Sequence, residues 1–390
     1  MKINIKQDTQ RSLGWRRWRN LLLFVGLVVS CSMLVRWLVA RPSAQLIRTI
    51  TTTSSVNGVQ WSLSGELLLS AQSDGSLQIW QADTGTLLRT IQAQQGDVYA
   101  LAISSDGLMV ASGGSGGSVA ANNDARLARV PGPQPQVVQL WNIADGALLR
   151  SFTCPALDYV IRTVALSDDQ RYVAAGGSDG AICLWDRRSG MLLHQLQGHV
   201  LFGSACEVNS IAFNAQNTEL ISGGYDGTVQ RWNVATGAVL AVLEVPSSPN
   251  SDEFPSVFQV AFSQDGRYII AGAKDSVVSV WRVADDGLEQ EFGVIRRPIW
   301  ALDTSPNGER LATGSGTTRD QEEEIISFWR FVDSVSNNAT VIHLWRTTDY
   351  SLATTLKGHT ADVESVAFSP DSSLLASGSR DHTIRIWSLK

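Results

Sequence analysis

Apolar and polar residues alternate in short runs that recur along most of the chain. Residues 98–104 and 363–369 alternate with a period of two, which is typical of a half-buried β-strand. A turn such as Ser105-Asp106-Gly107 follows each run, and a second apolar run comes next. A tight turn around an aspartate then leads to a run that ends in tryptophan, and a fourth run like residues 86–91 completes the unit. The pattern therefore predicts repeated units of four strands.

Seven tryptophans close the third run of seven such units: Trp80, Trp141, Trp185, Trp232, Trp281, Trp345 and Trp387. Seven consecutive units of four strands each predict an all-β propeller with seven antiparallel blades. Residues 46–50 match the fourth run 87–91 but precede the first complete unit. We therefore expect residues 46–50 to close a ring as the outer strand of the blade formed by the C-terminus, which removes an open sheet edge.

The units resemble WD repeats over residues 46–390. Gly198-His199 and Gly358-His359 match the opening dipeptide of that family, and Trp185-Asp186 matches the closing dipeptide. The resemblance implies a buried hydrogen-bonded set in the last blade, formed by His359, Ser377, Asp381 and Trp387. Most other copies lack the histidine, so we expect those blades to depend on packing.

Loop lengths vary on only one side of the predicted propeller. The step from the first strand to the second, as from Val56 to Ser70, is the same in all seven units. The step from the second strand to the tryptophan is short in five units and much longer in the second and sixth, as from Ser112 to Trp141. The connections before the third, fourth and fifth units are also longer. Both variable loop types leave a blade on the same side, here called the elaborated face, and repeat proteins often carry binding insertions in this way.

The two long insertions differ in composition. Residues 115–136 are rich in Gly, Ser, Asn and Pro, which is typical of a flexible loop. The sixth-unit insertion, 317–339, includes Phe328, Trp329 and Phe331. These apolar residues either dock on the propeller as a lid or contact a partner.

The resemblance also places one residue of each inner strand at the mouth of the central channel: Asn57, Tyr99, Arg162, Asn209, Phe258, Trp300 and Glu364. Tyr225, Lys274 and Arg380, each just before a turn aspartate, lie near the same rim. Aromatic and arginine side chains dominate interface hot spots. The residues of this rim either form a recognition surface or only fill the mouth of the channel, and we favour a recognition surface. The predicted partner-binding residues are Tyr99, Arg162, Asn209, Tyr225, Phe258, Lys274, Trp300, Glu364 and Arg380, flanked by Phe328, Trp329 and Phe331.

The N-terminal 45 residues predict a membrane tether. Residues 1–20 form a basic tail, 21–40 are apolar apart from Arg36, and 41–45 are a short linker. Twenty helical residues span about 30 Å, the thickness of the hydrocarbon core. The basic flank favours a single-pass signal anchor with a cytoplasmic N-terminus and an exported propeller. A cleaved secretory peptide remains open, as does lipidation at Cys31 in a lipoprotein-like Val-Val-Ser-Cys box.

Charge and cysteines narrow the choice of partner and compartment. Residues 1–20 together with Arg36 and Arg41 carry a net charge of +7. Because the whole chain carries −6, the rest of it carries −13. An acidic body is a poor match for nucleic acid. Cys183 lies in a tryptophan strand and is expected to be a buried apolar residue. Cys154 and Cys206 lie in connections on the elaborated face, and the sequence leaves open whether they form a disulfide outside the cytoplasm.

Signals for catalysis are weak. The Gly-Gly-Ser-Gly-Gly stretch at 113–117 matches a nucleophile elbow but falls in a predicted sheet hairpin. The five histidines show no paired metal-ligand spacing. We therefore expect no enzyme activity, metal or cofactor, and predict a monomeric, membrane-tethered scaffold that docks a protein or peptide. The alternatives are an exported enzyme or small-ligand receptor with its site at the channel mouth, and a structural spacer.

Overall fold

A computed structural model of the protein describes residues 44–115, 136–155, 160–246, 255–293, 297–316 and 340–389. The predicted tail and anchor (1–40) with Cys31, and Phe328, Trp329 and Phe331 of the sixth-unit insertion, lie outside the described residues. So does most of the 115–136 insertion. Within the part described, we find no helix of the length and apolarity that a membrane span requires.

Seven four-stranded antiparallel sheets form the blades. Strands in each blade follow chain order from the channel outward, except in blade seven. Blades one to three consist of β2 (Val56–Trp61), β3 (Leu67–Gln72), β4 (Ser76–Gln81), β5 (Thr86–Gln92); β6 (Val98–Ile103), β7 (Met109–Gly114), β8 (Val137–Asn142), β9 (Leu148–Thr153); and β10 (Ile161–Leu166), β11 (Tyr172–Gly177), β12 (Ala181–Asp186), β13 (Leu192–Gln197).

A small additional sheet, β14 (Val200–Leu201) with β15 (Ser204–Ala205), lies between blades three and four. Blades four to six consist of β16 (Val208–Phe213), β17 (Glu219–Gly224), β18 (Thr228–Asn233), β19 (Val239–Glu244); β20 (Val257–Phe262), β21 (Tyr268–Ala273), β22 (Val278–Arg282), β23 (Leu288–Phe292); and β24 (Ile299–Thr304), β25 (Arg310–Ser315), β26 (Val341–Arg346), β27 (Leu352–Lys357).

Blade seven closes the ring. It consists of β28 (Val363–Phe368), β29 (Leu374–Ser379), β30 (Thr383–Ser388) and the first described strand, β1 (Gln45–Thr51). β1 pairs antiparallel with β30, with Ile50 opposite Ile384. The inner strands contact one another in the cyclic order β2, β6, β10, β16, β20, β24, β28 and back to β2. The two ends of the propeller therefore share one sheet, and the prediction of seven blades is confirmed.

The core is divided among the seven junctions between blades, each filled by one apolar cluster. The seven repeat tryptophans belong to these clusters and are 1–8% exposed. In five blades the indole Nε1 donates to a Ser or Thr of the second strand, as from Trp80 to Ser70 Oγ at 2.9 Å. Blades three and five have Ala175 and Ala271 at that position, and Trp185 donates to the carbonyl of Thr153 instead.

Arginines on three outer strands bind neighbouring blades at the rim. Arg89 Nη1 and Nη2 donate to the carbonyls of Asp145 and Ala144 in the next blade, both at 2.8 Å. Arg48 and Arg150 occupy the same position and bind the equivalent turns of their neighbours. One sequence position thus joins consecutive blades across three seams.

Candidate functional site

A β-bulge lies at the second residue of every inner strand. In β2, Val56 pairs with Gln72 and Gly58 with Ala71, so Asn57 has no partner in the ladder. The other six inner strands show the same shift. A bulge re-aims the side chain of its extra residue. The seven bulged residues, here called the channel mouth, are the seven for which the resemblance to WD repeats predicts that position: Asn57, Tyr99, Arg162, Asn209, Phe258, Trp300 and Glu364.

The mouth opens into a central cavity of about 550 Å³. Tyr99, Arg162, Asn209 and Glu364 contribute to its wall. All nine predicted partner-binding residues are half-buried. A side chain in that state is held by neighbours and still presents surface to a ligand.

Charged residues form one part of the mouth. The Arg162 guanidinium lies over the Tyr99 ring, with its Cζ 5.2 Å from the ring centroid, and its Nη2 lies 3.3 Å from Glu207 Oε1. Arg380 Nε donates to Glu364 Oε1 in blade seven. Burial alone would lower the pKa of Arg380, but the carboxylates of Glu364 and Asp362 outweigh it and raise that pKa. Arg380 therefore keeps its charge, as its ion pair with Glu364 requires.

Aromatic residues form another part. The rings of Phe258 and Trp300, from blades five and six, lie 4.2 Å apart between centroids. Nearby, Ser256 connects the two turns that carry Tyr225 and Lys274. Its hydroxyl donates to the Tyr225 carbonyl at 3.2 Å, and its own carbonyl accepts from the Lys274 amide at 2.9 Å. The blade-five side of the mouth therefore combines an aromatic pair with two turns that Ser256 joins.

The two asparagines of the mouth already serve the fold. Asn57 Nδ2 donates to the carbonyl of Val98 and Asn209 Nδ2 to the carbonyl of Val257, both at 2.9 Å. Each bond joins one inner strand to the next. Asn209 therefore has a structural role, and its role in partner binding stays a prediction.

Deeper in the channel, polar side chains join the inner strands. Gln60 Oε1 accepts from Ile103 N at 2.9 Å, and Asp303 Oδ2 accepts from Phe368 N at 2.7 Å. Burial raises the pKa of Asp303 to about 7, although backbone amides of Phe368 and Thr304 partly oppose the shift. Sequence reasoning missed these residues. The sequence did contain a signal for Asp303, because five other units have alanine at the equivalent position.

The hydrogen-bonded set predicted for blade seven lies in one buried cluster. His359 Nδ1 is 2.8 Å from Asp381 Oδ2 and its Nε2 is 2.7 Å from Ser377 Oγ, which also accepts from Trp387 Nε1 at 3.0 Å. Burial opposes ionisation of Asp381, but hydrogen bonds from His359 and Thr383 hold its pKa far below the usual range. Burial lowers the pKa of His359.

A second set, not singled out from the sequence, follows the other Gly-His dipeptide. His199 contacts Asp226 Oδ1 at 3.0 Å and Ser222 Oγ at 2.7 Å, and Trp232 Nε1 donates to the same hydroxyl at 2.9 Å. Blade five has Val245-Pro246 in place of the Gly-His dipeptide. There, burial raises the pKa of Asp275, and its Oδ2 is buried without a hydrogen bond to any described residue. In the blades that have the histidine, its contact with the buried aspartate therefore offsets the cost of burying that carboxylate.

The disulfide differs from both expectations for the cysteines. Cys154, which follows β9, is bonded to Cys183 in β12, with a Cα–Cα distance of 6.4 Å. The idea that Cys154 pairs with Cys206 is wrong, because Cys206 is free. Cys183 is buried as expected but is not a simple apolar residue, since the blade junction brings β12 against the end of β9. A sequence pattern within one blade does not reveal this distance.

The weak catalytic motif has a packing explanation. Gly113 lies within β7, and a Cβ there would clash with Ile161 of the next blade. No group of three or more potential metal ligands occurs among the described residues. Across these ranges, the mouth offers aromatic and ion-paired groups rather than converging carboxylates.

Family profiles agree with the repeat structure. The profile described as "WD domain, G-beta repeat" matches residues 146–186, 190–233, 248–282 and 350–388. A second, "Anaphase-promoting complex subunit 4 WD40 domain", matches 27–120. The chain thus carries WD40 repeats, and they are arranged as a seven-bladed β-propeller.

Similar proteins include subunits of several assemblies. The chain is 25% identical to anaphase-promoting complex subunit cdc20 of Dictyostelium discoideum, over 65% of this chain and 54% of that protein. It is 23% identical to eukaryotic translation initiation factor 3 subunit I of Debaryomyces hansenii, over 85% and 89%, and 24% identical to a guanine nucleotide-binding protein subunit beta of Oryza sativa subsp. japonica, over 67% and 78%. The chain thus spans about half the length of the cdc20 relative.

Proposed function

We propose that this protein is a membrane-tethered scaffold that docks a protein or peptide segment on the elaborated face of its propeller. The observation that carries the proposal is the set of seven bulges, one at the second residue of each inner strand. Four of these residues are Tyr99, Arg162, Phe258 and Trp300, the types that anchor protein interfaces. In the proposed mechanism these four bind the partner, and the blade-two and blade-six insertions flank it.

The chemistry of the mouth favours a protein or peptide. The Arg162 guanidinium lies over the Tyr99 ring, the Phe258 and Trp300 rings contact each other in a tilted arrangement, and ion pairs lie beside the first of these pairs and in blade seven. Such a surface combines apolar area with donors held in fixed directions, as the centre of a protein interface does. The three relatives are named as subunits of larger assemblies, which supports an interaction role.

Export of the propeller is the second part of the proposal. The apolar segment 21–40 with its basic flank is the sequence evidence. The disulfide between Cys154 and Cys183 adds independent support, because such bonds persist in oxidising compartments and are rare in the cytosol. Tethering would raise the local concentration of any recruited partner at the membrane.

One observation favours a small-ligand receptor as the second candidate. The cavity of about 550 Å³ lies within the size range of ligand pockets. However, polar groups along its wall already bind neighbouring strands: Gln60 binds Ile103 N, Ser365 binds Val59 N and Asp303 binds Phe368 N. Because few of these groups are left to orient a small molecule, we favour docking at the mouth.

The test is crosslinked affinity purification of the tagged, detergent-solubilised protein beside the double variant Arg162→Ala, Trp300→Ala. A matched control carries Leu108→Ala and Met191→Ala, two exposed apolar residues in turns of the opposite face. Circular dichroism and thermal unfolding check that all three proteins fold. The proposal expects specific partners with wild type and control but not with the mouth variant, and equal recovery from all three would contradict it.

A further inference from the structure

The outer strands are the exposed sheet edges of the propeller. Among the described strands, each of them pairs on one side only, as β19 (Val239–Glu244) pairs with β18. An unpaired edge is a template for another strand, and proteins protect such edges with polar or charged side chains. The side chains of the seven outer strands therefore show which edges are closed to a partner.

Six of the seven outer strands carry this protection at two consecutive positions. In β5 these are Arg89 and Thr90, which follow the apolar start of the strand. The aligned residues of five other outer strands are polar or charged as well: Arg48-Thr49, Arg150-Ser151, His194-Gln195, Gln290-Glu291 and Thr354-Thr355. β19 has Ala241 and Val242 there. Residues 238–243 thus form an unbroken apolar run, Ala-Val-Leu-Ala-Val-Leu.

This apolar run is exposed on the surface. Val239 and Leu240 are each 46% exposed, and Val242 is 53% exposed. The other six blades fold with a polar residue at the Val242 position, so the fold does not require valine there. A β-prone segment of low charge without proline associates with other strands when it lies on an edge. Every outer strand has a bulge at the residue aligned with Leu240, so this second form of edge protection does not set β19 apart.

A second copy of β19 fits this edge in an antiparallel register. Pairing about a two-fold axis at Ala241 places Leu240 opposite Val242 of the second copy, and Val239 opposite its Leu243. Such apolar cross-strand pairs stabilise a sheet. Glu244, the one charged residue of the strand, falls opposite an alanine at the end of the run. The contact is self-complementary and closes as a dimer.

The same operation is unfavourable at the other edges. β1, β5 and β9 would place arginine opposite arginine, and β23 would place Glu289 opposite Glu291. Like charges directly opposite each other destabilise a strand pair. β13 and β27 would place His194 and Thr354 opposite their own copies. At β19 alone among the seven, the centre of the pairing is entirely apolar, and this favours a second copy as the partner.

The twist of the blade makes this pairing compatible with two propellers that face the same way. Adjacent strands are rotated by roughly 20–25°, so an outer strand is turned by about 60–75° from the inner strand that lines the channel. The outer strand therefore runs largely around the circumference. A two-fold axis normal to the sheet at that edge lies close to the channel direction, so both channels would open toward the same side. Two copies tethered in one membrane would need this arrangement.

We propose that β19 pairs with β19 of a second copy, so that the protein forms a two-fold dimer through blade four. β19 is the outermost strand of its blade, so the dimer leaves the channel mouth open and is independent of the proposed docking function. A dimer differs from the monomer that the sequence predicts.

The first experiment places one cysteine at the proposed axis of the full chain. Ala241→Cys is made together with Cys31→Ser and Cys206→Ser, which leave only the Cys154–Cys183 disulfide among the native cysteines. Thr354→Cys in the same background is the matched control, at the aligned position of β27.

Directly opposite residues of antiparallel strands have Cα atoms about 4.5–5.5 Å apart, within reach of a disulfide. After mild oxidation of cells that express the full chain, we expect a covalent dimer from Ala241→Cys and none from Thr354→Cys. Equal yields from both variants, no dimer, or a crosslink from position 241 to a different protein would overturn the proposal.

The second experiment tests the register with opposite charges. Leu240→Glu and Val242→Lys each set a charge opposite an apolar residue, so each alone should weaken dimerisation at least tenfold. Mixing the two variants sets the new charges opposite each other and should restore the dimer. Thr90→Lys, at the position of blade one aligned with Val242, should leave dimerisation unchanged.

Analytical ultracentrifugation of the detergent-solubilised full chain measures the dissociation constants, and thermal unfolding checks that every variant folds. Wild type that remains monomeric, or single variants as dimeric as wild type, would contradict the pairing of β19. A mixture that stays monomeric would contradict the register and with it the proposal. Because none of these variants changes a mouth residue, failure of the dimer leaves docking at the mouth unaffected.

Discussion

Asp303 gives a quantitative test of how the channel is built. Its carboxyl accepts from Phe368 N at 2.7 Å and Thr304 N at 2.9 Å, and burial raises its pKa to about 7 from an ordinary value of 3.8. A raised carboxyl pKa means that the folded state holds a proton the unfolded state has released. The contribution of this group to stability is therefore present below about pH 4 and is lost as pH rises toward 7.

The size of this effect follows from the pKa difference. About three pKa units correspond to roughly 4 kcal/mol at most. Because the half-buried carboxyl lines a channel that water can enter, we expect about 2 kcal/mol. Asp303→Asn retains an acceptor oxygen but cannot ionise. Asn keeps only one of the two oxygens that accept from Phe368 N and Thr304 N, so the variant loses one hydrogen bond at every pH. Relative to wild type, its free energy of unfolding should nevertheless rise by about 2 kcal/mol between pH 3.5 and pH 8.

The assay is urea unfolding followed by tryptophan fluorescence, for both proteins at both pH values. At each pH, the free energy of unfolding of wild type is subtracted from that of the variant. This difference removes the contributions of all other titrating groups, because both proteins share them. A difference that stays constant between pH 3.5 and pH 8 would refute the reasoning. A variant that is less stable by the same amount at both values would show that Asp303 acts only as a hydrogen-bond acceptor.

Three further predictions concern the blades. His359→Ala should lower the free energy of unfolding by about 2–4 kcal/mol, because the buried Asp381 carboxylate and Ser377 hydroxyl each lose a hydrogen bond. His382→Asn, at an exposed turn, should change it by less than about 0.5 kcal/mol, and denaturant titration distinguishes the two variants. Arg89→Met should cost about 1 kcal/mol through loss of its two rim hydrogen bonds, which thermal unfolding would detect and an unchanged midpoint would contradict. The disulfide closes a loop of sequence separation 29, so replacing Cys154 and Cys183 with alanine should cost roughly 3–4 kcal/mol. Mass spectrometry after thiol alkylation should find these two cysteines blocked only after reduction, and finding them alkylated beforehand would contradict the bond.

The repeat architecture could be predicted from the sequence because its signals are local. Alternation, turn residues and the tryptophan positions recur within each unit, and the similarity of residues 46–50 to 87–91 indicated the ring closure that β1 and β30 form. The resemblance to WD repeats gives the seven mouth residues, and a bulge falls at each of them; their part in partner binding stays a prediction.

Features that depend on contacts between blades could not be predicted in this way. The Cys154–Cys183 bond and the Arg162–Glu207 ion pair join residues from different units, and loop lengths alone do not give their distances. The hairpin carrying Phe202 has two very short strands, in which no periodicity can show. Asp303 was visible only as a departure from the alanine of other units, and its consequence depends on the neighbouring strand.

The most direct test of the docking function is a titration of an isolated partner against wild type, the Arg162→Ala, Trp300→Ala variant and the Leu108→Ala, Met191→Ala control. The proposed function predicts that binding to the mouth variant is at least tenfold weaker, while the control binds like wild type. Equal affinity for all three proteins would contradict docking at the channel mouth.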